Sequence, residues 1–123
     1  MRMRIKLKND PISGVIQAVQ ELYPDIEADI WYDDTMEFKG EDRICGETIF
    51  PLDGTTPIIR INARIPFYAV PEIIAHELAH VKEPEDVNHG EKWEKAFNAI
   101  FMQYSKNMKQ ILKQRTQNSQ SVP

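Results

Sequence analysis

Residues 74–93 read IAHELAHVKEPEDVNHGEKW, and this stretch holds all three histidines of the 123-residue chain. His76 and His80 stand four positions apart in an apolar pattern of helical period. Residues at that spacing lie on one helix face with Cβ atoms about 5–6 Å apart, so two imidazoles can meet one ion. Pro84 ends the helix and lets the chain turn back, which can bring His89 to the same ion. The stretch therefore predicts a three-histidine metal site.

Glu77 follows the first of these histidines directly and is expected to project beside the ion. A catalytic zinc site has three protein ligands and an open position, and the metal lowers the pKa of its bound water to about 7. A neighbouring carboxylate can then take the proton of that water. The residues thus predict one Zn²⁺ per chain on His76, His80 and His89, with Glu77 as general base. A non-catalytic zinc-binding interaction module remains an alternative, although a structural site needs no base.

The residues after Pro84 predict a second helix, from about His89 to Lys113. Asn88 is a plausible cap, with Glu91 three positions later as in a capping box. Trp93 is expected to pack this helix against the first. The loop between the helices carries acids that could orient a ligand imidazole, or simply face solvent: Glu83, Glu85 and Asp86.

The remaining chain predicts one further helix and several strands. Asp10 and Pro11 are typical of a helix start, and apolar residues then recur at helical spacing until Pro24. A polar stretch over residues 33–43 predicts a loop. Alternating or apolar runs predict strands over residues 2–8, 26–32, 44–50 and 57–62, the last two joined as an antiparallel hairpin through Asp53 and Gly54.

Length and composition predict one domain over residues 1–113 and a disordered tail over residues 114–123. Cys45 is the only cysteine, so no internal disulfide can form. The N-terminal residues do not resemble a secretory signal and no apolar run could cross a bilayer, so we expect a cytoplasmic protein with no membrane partner. A net charge of -4 argues against a dedicated nucleic-acid binder. Two basic clusters, within residues 2–8 and 106–115, keep DNA association as a weaker alternative.

Three segments together resemble the SprT-like and YgjP-like zinc metallopeptidases, which are minimal gluzincin-type proteases. These segments are IIRIN at residues 58–62, HELAH at residues 76–80 and HGEKW at residues 89–93. In those families a strand ending in Asn precedes the active-site helix, and a third His, a small residue and an aromatic residue follow it. The ImmA/IrrE-like regulator-cleaving proteases share the strand and helix pattern and remain a second possibility.

The resemblance implies an α+β, zincin-like fold: a small antiparallel sheet of about three strands packed on the active-site helix, with one helix before it and a long helix after it. It implies His76, His80 and His89 as zinc ligands, Glu77 as general base and hydrolysis of a protein or peptide substrate. An extended substrate would pair with an edge strand above the metal. A DNA-associated SprT-like protease is a further alternative.

Peptide hydrolysis also needs a donor for the oxyanion besides the metal. Because all histidines are used as ligands, we expect a Tyr or Arg side chain in this role. The candidates are Tyr68, Tyr104, Arg60 and Arg64.

Overall fold

The computed structural model describes residues 4–36, 45–120 and 122–123 and has an α+β architecture. Three helices and a 3₁₀ turn accompany a three-stranded sheet, and the second helix packs directly on its strands. In chain order the elements are α1 (Pro11–Leu22), β1 (Asp29–Asp33), β2 (Gly46–Ile49), β3 (Ile58–Asn62), the 3₁₀ turn (Phe67–Ala69), α2 (Val70–Lys82) and α3 (Glu91–Thr116). In the described part of the chain no helix is long and apolar enough to span a membrane.

Helix α1 begins and ends where its sequence predicts. The Asp10 carboxylate accepts a hydrogen bond from the Ile12 amide at 3.0 Å, which satisfies one of the unpaired donors of the first turn. Pro11 occupies a first-turn position, where its missing N–H costs nothing. Val15 and Val19 are buried on the side that faces the core. Periodicity and capping thus place α1 as predicted.

The sheet has the order β1-β3-β2 and is mixed, because β1 runs parallel to β3 while β2 runs antiparallel to it. The predicted hairpin of β2 and β3 is confirmed, but the expectation of a purely antiparallel sheet is wrong. Alternation along a strand shows which residues share a face, but it does not show the neighbour or the direction of that neighbour. Ile59 and Ile61 of β3 are fully buried under the helices.

The predicted strand at residues 2–8 is not formed over its described residues, 4–8, which are irregular, with a turn beginning at Lys8, and exposed. Ile5 is 86% exposed and Leu7 is 69% exposed. An alternating pattern becomes a strand only when a neighbouring edge pairs with it, and the described structure pairs nothing with this segment. Residues 1–3, and residues 37–43 of the predicted loop, lie outside the described residues.

The two site-bearing helices form the centre of the molecule. Helix α2 buries Ile74, Ala75 and Leu78 against the sheet and α3, and it ends at Lys82, before Pro84. Helix α3 begins at Glu91 rather than at His89, and it extends to Thr116 rather than ending near Lys113. The core is one cluster that joins both helices to the sheet and α1: Val15, Val19, Ile59, Ile61, Ile65, Val70, Ile74, Ala75, Leu78, Ala79, Ala96 and Ile100.

Candidate metal centre

The three histidines converge on one point at the junction of α2 and α3. His89 Nε2 lies 2.9 Å from His80 Nε2 and 3.1 Å from His76 Nε2. One ligand nitrogen from each ring lies within 4.8 Å of the other two, an arrangement that could hold a metal ion. His76 and His80 are partly buried, whereas His89 is exposed, so the cluster is open to solvent on one side. The structure thus brings together the three ligands that the sequence predicted.

Two of the three nitrogen separations are close to those around a tetrahedral ion. Zinc binds imidazole nitrogen at about 2.0–2.1 Å, which places two ligands of a tetrahedron about 3.3 Å apart. The two separations above are a few tenths of an ångström shorter, a change that small side-chain rotations supply. Burial, and then the neighbouring His80 and His89, lower the pKa of His76 to about 4. Burial and His89 also lower the pKa of His80, so both rings are neutral near pH 7, which is the form that binds metal.

Glu77 directly follows His76 in α2 and is buried, with 4% of the residue exposed. Burial raises its pKa to about 7, and the nearby Glu47 contributes to the rise. Among the described residues, its Oε2 is the buried side-chain oxygen that has no hydrogen-bond partner. A buried carboxylate oxygen without a donor is costly, so it indicates a position for a water or another donor at this oxygen.

Gly46, the first residue of β2, lies close to the side chain of Glu77. A Cβ placed on Gly46 would lie 2.9 Å from Ile73 Cγ2 and 3.3 Å from Glu77 Cγ. The missing side chain therefore lets β2 approach α2 at the level of Glu77. Further along β2, the Thr48 hydroxyl donates to the Glu77 backbone carbonyl at 3.3 Å. The sequence analysis did not assign Gly46 or Thr48 to the site.

The loop that presents His89 is held by Asp86, which caps α3. Its carboxylate accepts hydrogen bonds from the Gly90 and Trp93 amides, each at 3.0 Å. These bonds, with that to Trp93 the strongest, lower the pKa of Asp86. The expected capping box of Asn88 and Glu91 is wrong, because the residue at the cap position is Gly90 and the capping carboxylate comes from further upstream.

Two backbone features accompany this cap. A Cβ on Gly90 would lie 2.5 Å from Asp86 Oδ1, so only glycine leaves room for the carboxylate. His89 has a positive φ of 56°, and no other non-glycine residue in the described part of the chain has a positive φ. A side chain in this left-handed region is strained, and such strain concentrates at functional positions. The strained residue here is the third histidine of the cluster.

The indole ring of Trp93 packs against the three histidine rings. Its ring centroid lies 4.7 Å from that of His76, 5.6 Å from His80 and 4.5 Å from His89. Its Nε1 donates to the His76 backbone carbonyl at 3.2 Å, and its ring stacks on Phe97. The residue therefore joins α3 to α2, as predicted, and also contacts every histidine, which the sequence pattern did not indicate.

The four predicted oxyanion donors lie in different surroundings. Tyr104 packs between α3 and α1, where its ring lies against Gly14. Arg60 forms ion pairs with Asp33 and Glu47 on the sheet face opposite to Ile59 and Ile61. Tyr68, in the 3₁₀ turn before α2, and Arg64, after β3, are exposed. The structure thus commits Tyr104 and Arg60 to other contacts.

No family model, curated protein or solved structure matches this chain. The resemblance to SprT-like and YgjP-like peptidases stays a prediction from the three quoted segments. What the structure adds is the convergence of His76, His80 and His89, together with the burial of the carboxylate of Glu77, the residue after His76.

Proposed function

We propose that this protein is a zinc-dependent metallopeptidase in which His76, His80 and His89 hold the metal and Glu77 is the general base. One observation carries the proposal: a buried carboxylate oxygen without a partner belongs to Glu77, the residue that directly follows the first of three converging histidines. A structural zinc site needs ligands only, whereas a hydrolytic site also needs a base next to an open ligand position.

Zinc is the metal that this ligand set favours. Imidazole nitrogen suits zinc, copper, iron and nickel, and three neutral imidazoles with one open position are typical of catalytic zinc. When bound, zinc supplies Lewis acidity, which polarises a carbonyl and makes a coordinated water acidic near neutral pH.

Glu77 has the protonation chemistry that a base at this position requires. Its pKa of about 7 allows the carboxylate to accept a proton from water near neutral pH and to return it to the leaving amine. Its burial shields the carboxylate from bulk solvent, while the exposed side of the cluster at His89 admits substrate. A proton can therefore move between water, Glu77 Oε2 and the leaving group.

The arrangement of β2 supports an extended peptide as substrate. This strand lies at one edge of the sheet, packs on α2 and approaches Glu77 at Gly46. An extended peptide can add to such an edge through main-chain hydrogen bonds, which places its peptide bonds beside the helix that carries the base. The exposed Tyr68 and Arg64 remain the candidate oxyanion donors.

The experiment combines metal content with hydrolysis of a fluorogenic peptide library. We expect about one zinc per chain, reduced in His89→Ala, together with hydrolysis that Glu77→Gln abolishes while zinc is retained. The matched control is Glu72→Gln, because Glu72 is an exposed glutamate in the first turn of the same helix.

Three results would count against the proposal. Protein without zinc after resupply at neutral pH would exclude the metal site. Zinc with no hydrolysis of any peptide would favour the non-catalytic interaction module. Full hydrolysis by Glu77→Gln would remove Glu77 from the role of base.

A further inference from the structure

Strand β1 presents an open backbone edge. In the described part of the chain it pairs with β3 alone. The Asp29 amide donates to Pro57 O at 2.9 Å, and Asp33 O accepts from the Ala63 amide at 2.8 Å, both on the β3 side. Because peptide groups alternate in direction along a parallel strand, those of Ile30 and Tyr32 point to the outer edge. This edge can accept a further strand.

The two faces beside this edge differ in chemistry. On the helix side, a groove of about 770 Å³ between α1 and β1 is lined by apolar side chains that include Ile12, Ile16, Ile26 and Ile30. On the opposite side the strand carries Asp29, Trp31 and Asp33, and Trp31 is 63% exposed. An added strand would therefore need apolar side chains on one face and basic side chains on the other.

The N-terminal segment, residues 4–8, has that alternation. Ile5 and Leu7 are apolar and exposed, and they alternate with basic side chains, Arg4, Lys6 and Lys8. The segment forms no helix or strand of its own, with a turn beginning at Lys8, and has the same length as the five-residue β1. Both span about 17 Å at the usual rise of a strand. Ile5 and Leu7 alternate with the basic residues, so on an added strand both would face the apolar groove.

We propose that residues 4–8 of one copy add as a strand to the β1 edge of a second copy, reciprocally, to form a dimer. Ile5 and Leu7 enter the apolar groove between α1 and β1. Arg4, Lys6 and Lys8 then lie on the face of Asp29 and Trp31, where they meet carboxylates and an aromatic ring. The exposed Glu27, two positions before Asp29, adds a further negative charge.

The second copy is the occupant because each copy leaves both parts uncovered. The segment lies away from its own β1 edge, with Ile5 and Leu7 in solvent. Two copies related by a two-fold axis pair both segments with both β1 edges, so each apolar segment and each β1 edge gains a partner. The dimer is independent of the metal centre, which lies at α2 and α3.

The test is sedimentation velocity over a wide dilution series, in buffer with and without a chelator. The segment variant carries Arg4→Glu, Lys6→Glu and Lys8→Glu, and the edge variant carries Glu27→Lys and Asp29→Lys. We expect a wild-type species of twice 14.3 kDa that dissociates on dilution. Each variant alone should raise the dissociation constant on the order of 100-fold, because like charges then face each other.

Mixing the two variants distinguishes exchange between copies from docking within one chain. In the mixture, glutamates on one segment meet lysines on the other edge while the remaining pair is wild type, so we expect a heterodimer. Association in the mixture also shows that both variants are folded. The matched control is Lys106→Glu, Lys109→Glu and Lys113→Glu, a triple reversal on α3 that should leave the dimer unchanged.

A wild type that stays monomeric at every concentration would overturn the proposal, as would variants that do not dimerise when mixed. A monomer whose residue 5 and 7 amides are protected from hydrogen exchange would instead place the segment on its own β1 edge.

Discussion

Replacing Glu77 with Gln is expected to stabilise the metal-free protein at neutral and higher pH. Burial raises the pKa of Glu77 from its ordinary 4.5 to about 7. Between these values the folded state keeps a proton that the unfolded state has lost, so stability falls as pH rises through this window. At 1.36 kcal/mol per pKa unit, the loss above pH 7 is about 3 kcal/mol. Gln cannot ionise and avoids this loss.

His76 and His80 change the free energy of unfolding with pH in the opposite direction. Their effect cancels when the wild-type value is subtracted from that of the Glu77→Gln variant. The lowered pKa values of His76 and His80 mean that the unfolded state binds more protons below pH 6.5. Their contribution therefore makes stability rise with pH in that range. It is present in both proteins, so the difference in free energy of unfolding between Glu77→Gln and wild type isolates Glu77.

The assay is urea denaturation in a chelating buffer, followed by tryptophan fluorescence at several pH values from about 4.5 to about 8. As pH rises across this range, the free energy of unfolding of the variant should increase relative to that of the wild type by about 3 kcal/mol. Glu72→Gln, at an exposed position of the same helix, should show no such growth. A difference that does not change with pH would refute the assigned burial and pKa of Glu77.

Three further substitutions test the elements around the site. His89→Gly and His89→Ala should both lose zinc. In urea denaturation of the metal-free proteins, the glycine variant should be the more stable by about 1 kcal/mol, because glycine accepts the positive φ without strain. A more stable alanine variant would contradict backbone strain at this position. Trp93→Phe keeps a ring beside the histidines but removes the donor to His76 O, so its free energy of unfolding should fall by about 1 kcal/mol and its zinc affinity, by competitive chelation, about tenfold. Unchanged affinity would limit Trp93 to packing. Gly46→Ala places a Cβ against Ile73 and Glu77, so it should lower the free energy of unfolding by about 1–3 kcal/mol and reduce peptide hydrolysis. The control is Gly54→Ala in an open turn, which should lower stability only through the φ of 75° at that position and leave hydrolysis intact.

Local chemistry allowed the helices and the histidine cluster to be predicted from the sequence. Asp10 and Pro11 mark the start of α1 because a cap and a proline satisfy the first turn whatever surrounds it. His76 and His80 share a helix face because of the helical repeat alone. Pro84 interrupts the helix, and His89 was the only remaining histidine that could complete the set. These features depend on residues close together in the chain.

The cap of α3 was predicted wrongly, because the capping side chain lies further upstream in the loop than the local pattern indicates. Asn88 and Glu91 match the capping pattern, yet Asp86 accepts the bonds because the loop folds back over Gly90. In the same way, the exposed N-terminal alternation matches a strand without any edge paired to it. A local pattern states what a segment can form, and the neighbouring segment determines whether it does.

The three helices, the β2–β3 hairpin and the identity of the three converging histidines could thus be predicted from the chain, since each follows from a repeat, a cap or a break within a few residues. Three other features could not be predicted: the parallel placement of β1, the burial that raises the pKa of Glu77, and the contact of Trp93 with all three histidines. Those features arise where segments far apart in the chain pack together, and the order and distance of such packing are not encoded in any one segment.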